Sequence, residues 1–208
     1  METTKHRRLL VAVGMLLALG FVAAAPAHAY TFGGRAYSAM VTVPLGGTTF
    51  LADTGALVAS GGAQATALPS LSVPGVLAAD VPVAAAVGAT YDDGPKVNGS
   101  TSLTDVVVFP GQAAQLSASF VRAQADVSAT GVQGSSEIAD LTFAGMSIAV
   151  TGDANQRVDV FGVGTLIINE QSVTSSPLGQ AVTVNALHLI LATGAEVILS
   201  SAGSTITW

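Results

Sequence analysis

The chain contains no cysteine, few charged residues and few aromatic residues. Its 208 residues include 10% charged and 5% aromatic side chains, with 7 Lys+Arg against 13 Asp+Glu. The absence of cysteine excludes disulfides, thiol catalysis and Cys–His zinc sites. The acidic balance offers no positive surface to phosphates, so nucleic acid is excluded as a partner. Because 50% of the residues are hydrophobic, a disordered chain is excluded as well.

The first 29 residues have the pattern of a secretory signal peptide. A basic segment ending in Arg7-Arg8 precedes an apolar run over 9–25 and the small-residue sequence Ala27-His28-Ala29. This order predicts an exported protein cleaved between Ala29 and Tyr30. The alternative is an uncleaved segment, because the apolar run approaches the ~20 residues that span a bilayer. We expect membrane contact only through this segment, and only if it stays uncleaved.

Cleavage would leave a single β-rich domain over residues 30–208. Removing Glu2 and the three basic residues of the signal peptide leaves 4 basic and 12 acidic residues, a net charge of −8. His188 is then the only histidine, which excludes a multi-histidine metal site. We therefore expect no cofactor.

The pattern of residues 30–208 is typical of β-strands. Apolar and polar residues alternate over 36–43 and 181–189, and less strictly over 118–128, where Arg122, Gln124 and Asp126 do not all suit one face together with Phe120. No segment has a clear helical period. Alanine-rich residues 77–89 could support a helix, although Pro82 would interrupt it, and Asn98-Gly99 is typical of a hairpin turn.

Four glycines recur in similar surroundings. Gly75, Gly111, Gly145 and Gly194 each stand between apolar alternating stretches, which is typical of hairpin turns. The first three are separated by 36 and 34 residues. This spacing predicts an antiparallel β-sandwich, with a β-solenoid as the alternative architecture.

Four segments, over 131–142, 162–171, 182–189 and 196–202, resemble blocks of the secreted choice-of-anchor P proteins. The more specific parts are Asn169-Glu170-Gln171 and the run Val184-Asn185-Ala186-Leu187-His188. The resemblance covers most of residues 30–208, and it implies an exported surface protein of bacterial, actinobacterial type without an assigned activity. The family carries variable C-terminal anchors, whereas this chain stops at Trp208 without a sorting motif or apolar tail. We therefore expect release, or non-covalent retention at the cell surface.

One motif could carry catalysis. Asp53-Thr54-Gly55-Ala56 resembles the Asp-Thr-Gly-Ala loop of retroviral-type aspartic proteases. That chemistry needs two carboxylates sharing a proton, and no second Asp-Thr-Gly or Asp-Ser-Gly occurs in the chain, so only a homodimer could supply both. The alternative is a β-turn in which Asp53 caps the backbone and Gly55 takes a positive φ.

Other polar residues give weaker hypotheses. His188 could serve a Ser–His–Asp triad, but no Gly-x-Ser-x-Gly elbow is present and a hydrogen-bonded strand histidine is the simpler interpretation. Glu170 would need a second carboxylate nearby to act as a glycosidase residue. Oxygen ligands in turns make a surface calcium site conceivable, although they lack the spacing of a known calcium loop. These ligands are Asp92, Asp93, Asp153 and Asn155.

Because the catalytic and metal-binding hypotheses are weak, the sequence favours an extracellular structural or interaction protein without enzymatic activity. Its sheet edges carry few charged side chains, so we expect self-association, or pairing with a surface protein or polysaccharide. The competing function is a secreted hydrolase, acting as a dimeric aspartic protease through Asp53-Thr54-Gly55 or through a carboxylate near Glu170.

Overall fold

A computed structural model describes residues 30–208 as a sandwich of two antiparallel sheets. The predicted signal peptide over 1–29 lies outside the described residues. The strands are β1 (Thr31–Val43), β2 (Gly47–Asp53), β3 (Gly62–Ala67), β4 (Ser70–Val73), β5 (Leu77–Tyr91), β6 (Gly94–Val108), β7 (Leu116–Ser128), β8 (Gly131–Ala139), β9 (Thr142–Phe143), β10 (Met146–Ser147), β11 (Gln156–Val160), β12 (Gly164–Ser176), β13 (Gly179–Leu191) and β14 (Glu196–Thr207). Within residues 30–208 no helix could cross a bilayer.

The six-stranded sheet has the order β11-β12-β13-β14-β1-β2. Strands β11 to β14 form a meander, and β1 pairs with β14 along almost its whole length, from Thr31–Thr207 to Thr42–Glu196. The first and last strands of the domain are therefore neighbours. Hairpin strand β2 completes the edge beside β1.

The eight-stranded sheet is a meander of long strands β5, β6 and β7 with short strands on both sides. Strand β5 pairs with β4 near its start and with β3 further along. Strand β7 pairs in the same way with β9 and then with β8. The predicted all-β sandwich is confirmed; the structure is not a solenoid.

Small side chains allow the two sheets to approach closely. A Cβ atom added at Gly99 in β6 would lie 3.1 Å from the carbonyl oxygen of Gly203 in β14. Two buried hydroxyls also cross the core, since Ser200 Oγ donates to the Val121 carbonyl (3.1 Å) and Ser204 Oγ donates to the Ala125 carbonyl (2.8 Å). The core thus combines apolar packing with hydrogen bonds between the sheets.

A row of irregular residues crosses the six-stranded sheet. The pairing skips one position in each of five adjacent strands, at Asn169, Ala186, Ser200, Ser38 and Ala52. Three of these residues have positive φ: Asn169 (52°), Ser200 (53°) and Ala52 (47°). Because side chains alternate with period two, such a residue shifts the alternation by one position.

The same shift in β7 corrects an expectation. Before Ser119 the buried residues are Leu116 and Ala118, and after it they begin with Val121. As a result Phe120, Arg122, Gln124 and Asp126 all lie on the outer face, whereas unbroken alternation from Leu116 and Ala118 would place all four on the core face. The irregular pattern in the sequence is therefore a displaced strand pattern.

Two further expectations are corrected. Residues 77–89 belong to strand β5 and contain no helix: buried and outward residues alternate along the segment, with one break at Asp80-Val81. Asn98-Gly99 lies inside β6, and the hairpin turn between β5 and β6 is at 92–93 instead. The close approach of Gly203 explains the glycine at position 99.

Candidate functional site

Asp53 ends strand β2 and forms an ion pair with Arg35 of β1. Arg35 Nε donates to Oδ1 (3.0 Å) and Arg35 Nη2 donates to Oδ2 (2.7 Å), so both carboxylate oxygens are bound to one guanidinium. The Gly55 N–H also donates to Asp53 Oδ1 (2.9 Å), and Gly55 has φ 71°. This geometry matches the capped turn predicted for Asp53-Thr54-Gly55.

The surroundings of this ion pair stabilise both charged groups, the Asp53 carboxylate and the Arg35 guanidinium. The hydrogen bond from Arg35 holds the pKa of Asp53 below its usual value, although partial burial acts in the opposite direction. The guanidinium also lies 4.1 Å from the centre of the Phe50 ring, which makes edge contact with Tyr37. An aspartic protease needs a carboxylate that shares a proton with a second carboxylate. At Asp53 the partner is a cation, which favours a structural role.

His188 joins three strands on the outer face of the six-stranded sheet. Its Nδ1 lies 2.9 Å from Glu170 Oε2 in β12, and its Nε2 lies 2.6 Å from Glu196 Oε1 in β14. Asn185 Nδ2 donates to the same oxygen of Glu170 (2.6 Å). The imidazole is buried in this arrangement, while the glutamates are partly exposed. The sequence singled out Glu170 and His188 but gave no sign of Glu196 as their partner.

This cluster has limited catalytic capacity. A serine triad requires a hydroxyl at one ring nitrogen of the histidine, but both nitrogens of His188 face carboxylates. A glycosidase requires its two carboxylates to flank the scissile bond, and here the imidazole ring fills the space between Glu170 and Glu196. The arrangement is suited to holding β12, β13 and β14 together.

The candidate calcium ligands lie in two separate parts of the fold. Asp92 and Asp93 form the turn between β5 and β6, where Asp93 accepts a hydrogen bond from Lys96 (2.5 Å). Asp153 and Asn155 lie in the connection before β11, and Asn155 Oδ1 accepts from a backbone N–H. Among residues 30–208 no group of three or more His, Asp or Glu side chains is placed to hold a metal ion.

A cleft on the outer face of the eight-stranded sheet was not foreseen from the sequence. It has a volume of about 490 Å³ and lies where β5 to β8 run side by side near the turns at 92–93 and 129–130. Tyr91 stands at its edge with 52% of its surface exposed. Its polar lining includes Asn98, Asp126 and Gln133, which occupy one row across the sheet.

The polar side chains beside this cleft are linked to one another. Asn98 Nδ2 donates to Asp126 Oδ1 (2.5 Å), Gln124 Nε2 donates to Asp126 Oδ2 (3.1 Å), and Arg122 Nη2 donates to Gln124 Oε1 (3.0 Å). A face that offers amides, a carboxylate and an exposed phenol ring is suited to hydrogen-bonding a polar ligand and stacking against it. The shifted alternation of β7 brings these groups together, which explains why local pattern did not reveal them.

The comparisons with known proteins add no relatives. No family model, no curated protein and no solved structure matches the chain.

Proposed function

We propose that this protein is exported and acts outside the cytoplasm as a structural or interaction protein, related to the choice-of-anchor P proteins. The signal-peptide pattern supports export. The fixed pairing of Asp53 with Arg35, and of His188 with two glutamates, supports a role other than catalysis. One observation carries the interaction role: the uncharged edge of the eight-stranded sheet that is formed by β3 and β4.

This edge carries no charged side chain to protect it against pairing. Strands β3 and β4 each pair on one side only, with β5, among the described strands. The sequence contains no charged residue between Asp53 and Asp80, so the edge has no lysine or carboxylate along it. Exposed backbone N–H and C=O groups on such an edge are suited to accept another strand. Strand β11, at an edge of the other sheet, does carry charge, at Arg157 and Asp159.

The partner that best fits this edge is an uncharged strand, and a second copy of β3 satisfies that condition. The net charge of −8 on residues 30–208 opposes association at low ionic strength. Salt weakens this repulsion, because the Debye length falls to about 8 Å at physiological ionic strength. Self-association is therefore expected to increase with salt.

Sedimentation of residues 30–208 tests this proposal. Ala65→Lys places a charge on exposed β3, and Ala154→Lys places the same charge on an exposed loop as the matched control. We expect Ala65→Lys to abolish the salt-dependent association and Ala154→Lys to retain it. Equal association of both variants, or a wild-type protein that stays monomeric at high salt, would rule out the edge as the interaction site.

Export is tested separately by mass spectrometry of the extracellular protein. A mature N-terminus at Tyr30 is expected. Peptides from residues 1–8 on the extracellular form would refute cleavage.

The competing proposal is a dimeric aspartic protease. It predicts that Asp53→Ala abolishes hydrolysis of an unfolded protein substrate by the purified protein. An interaction protein instead predicts that Asp53→Ala leaves salt-dependent association intact, with no hydrolysis before or after the change.

A further inference from the structure

One end of the sandwich carries no charged side chain in its turns. We call it the apolar end. Its turns are 44–46, 161–163 and 192–195 in the six-stranded sheet and 74–76, 109–115 and 144–145 in the eight-stranded sheet. None of these turns contains Asp, Glu, Lys, Arg or His. The four glycines that recur in the sequence all lie in or beside this set, so the apolar end is where the recurrent turns meet.

Strand directions and hydrogen bonds place these turns together. The Ala192 N–H donates to the Val163 carbonyl (3.0 Å) in one sheet, and the Phe109 N–H donates to the Val76 carbonyl (2.7 Å) in the other. Strands β1 and β6 run in the same direction across the core, since Gly34 faces Val97 while Ser38 faces Thr101 further along both strands. The turns that follow β1 and β6 are therefore at the same end.

Two large apolar side chains project from this end. Leu45 is 110% exposed and Phe161 is 104% exposed, so neither packs against the rest of the domain. Leu45 also has φ 66°, a left-handed conformation that favours glycine or asparagine. Neither burial nor backbone conformation explains a leucine at this turn, and a strained backbone that presents an exposed apolar side chain suggests a role in binding.

We propose that the apolar end docks on a neutral lipid layer, with Leu45 and Phe161 inserted among the acyl chains. The two side chains are on turns four strand spacings apart, about 19 Å at the usual spacing between strands. A lipid surface deforms around single projecting side chains, whereas a protein partner would need two pockets at that separation. Neutral lipid is specified because the net negative charge of the domain opposes an anionic surface.

The opposite end of the sandwich differs from the apolar end because one of its turns carries charged side chains. It carries Asp92 and Asp93, and both Tyr30 and Trp208 lie there. It also has an exposed apolar turn residue, Leu178 (71% exposed), which supplies a matched control. Lipid docking requires neither export nor strand addition at β3, so it goes beyond the proposed function and can fail independently of it.

The test uses residues 30–208, which include every strand of both described sheets. Trp208 is the only tryptophan, so Trp208→Phe provides a background in which Phe161→Trp reports on the apolar end and Leu178→Trp on the opposite end. With phosphatidylcholine vesicles we expect a blue shift and quenching by brominated lipid for Phe161→Trp only. The same shift at position 178, no shift at either position, or a concentration-dependent shift without vesicles would overturn the proposal.

A second pair of variants measures the contribution of the two side chains. The double variant Leu45→Asn with Phe161→Ser should reduce the vesicle partition coefficient about a hundredfold, since each of the two apolar side chains contributes about tenfold when it is buried among acyl chains. Leu178→Ser should leave partitioning unchanged. Because Asn tolerates positive φ and both side chains are exposed, the double variant is expected to retain its melting temperature. Undiminished partitioning of the double variant would overturn the proposal.

Discussion

Val81 gives an unusual test of backbone strain in this fold. It lies in β5 at a register shift in the pairing with β6, and its φ is 44°. Its N–H donates to the Pro69 carbonyl (3.1 Å), which holds the irregular conformation in place. A β-branched residue with positive φ is a true outlier, because the close approach of its Cβ to the backbone costs about 1–2 kcal/mol of conformational energy.

The perturbation is Val81→Gly, with Val173→Gly as the matched control. Both valines lie in strands and both are 54% exposed, so the two substitutions remove similar side-chain contacts. Glycine in an ordinary strand costs about 0.5–1 kcal/mol of stability through chain entropy. This loss applies at both positions, but only Val81→Gly also relieves the left-handed strain. Val81→Gly should therefore be about 1–2 kcal/mol more stable than Val173→Gly.

The assay is urea or thermal unfolding of residues 30–208. For a domain of this size, that difference corresponds to roughly 2–8 °C in melting temperature. We expect Val81→Gly to lie close to wild type and Val173→Gly to lie clearly below it. Equal losses of stability in both variants would refute the assignment of strain to Val81.

Three further predictions concern polar contacts. Asp53→Asn should cost about 0.5–1 kcal/mol of stability at neutral pH, a small value because the ion pair with Arg35 is partly exposed. Since the pKa of Asp53 is lowered in the folded state, the stability from the carboxylate is lost as pH falls below about 4. The melting temperatures of wild type and Asp53→Asn should therefore converge in acid. His188→Ala should cost about 1–3 kcal/mol of stability, because it leaves two glutamates without their shared partner. A smaller loss than that of an alanine substitution at an exposed residue would contradict a stabilising role for His188. Ser204→Ala should cost about 1 kcal/mol in urea unfolding, because the Ala125 carbonyl loses a donor from the opposite sheet.

A skipped position in the pairing also determines the outer face of the eight-stranded sheet. A residue that the pairing skips changes which side chains point outward in the rest of its strand. In β7, where the pairing with β6 skips Ser119, the shift places Arg122, Gln124 and Asp126 together on the outer face beside the cleft at Tyr91. The polar side of the cleft therefore depends on an irregularity near the start of β7, at Ser119.

The sequence by itself determined the fold class and one local structure of the candidate site. Alternation with period two and recurrent turn glycines are local signals, and strands and hairpins follow from them. The turn at Asp53-Thr54-Gly55 was also predictable, because an aspartate caps its own backbone two residues later.

Tertiary structure alone decided the remaining features. The partnership of His188 with Glu170 and Glu196 depends on the register of three strands, and no spacing along the chain encodes that register. The gathering of six uncharged turns at one end depends on strand direction in two packed sheets. The displaced alternation in β7 depends on one residue whose conformation is set by pairing and packing, since contacts between distant residues decide where a strand can shift.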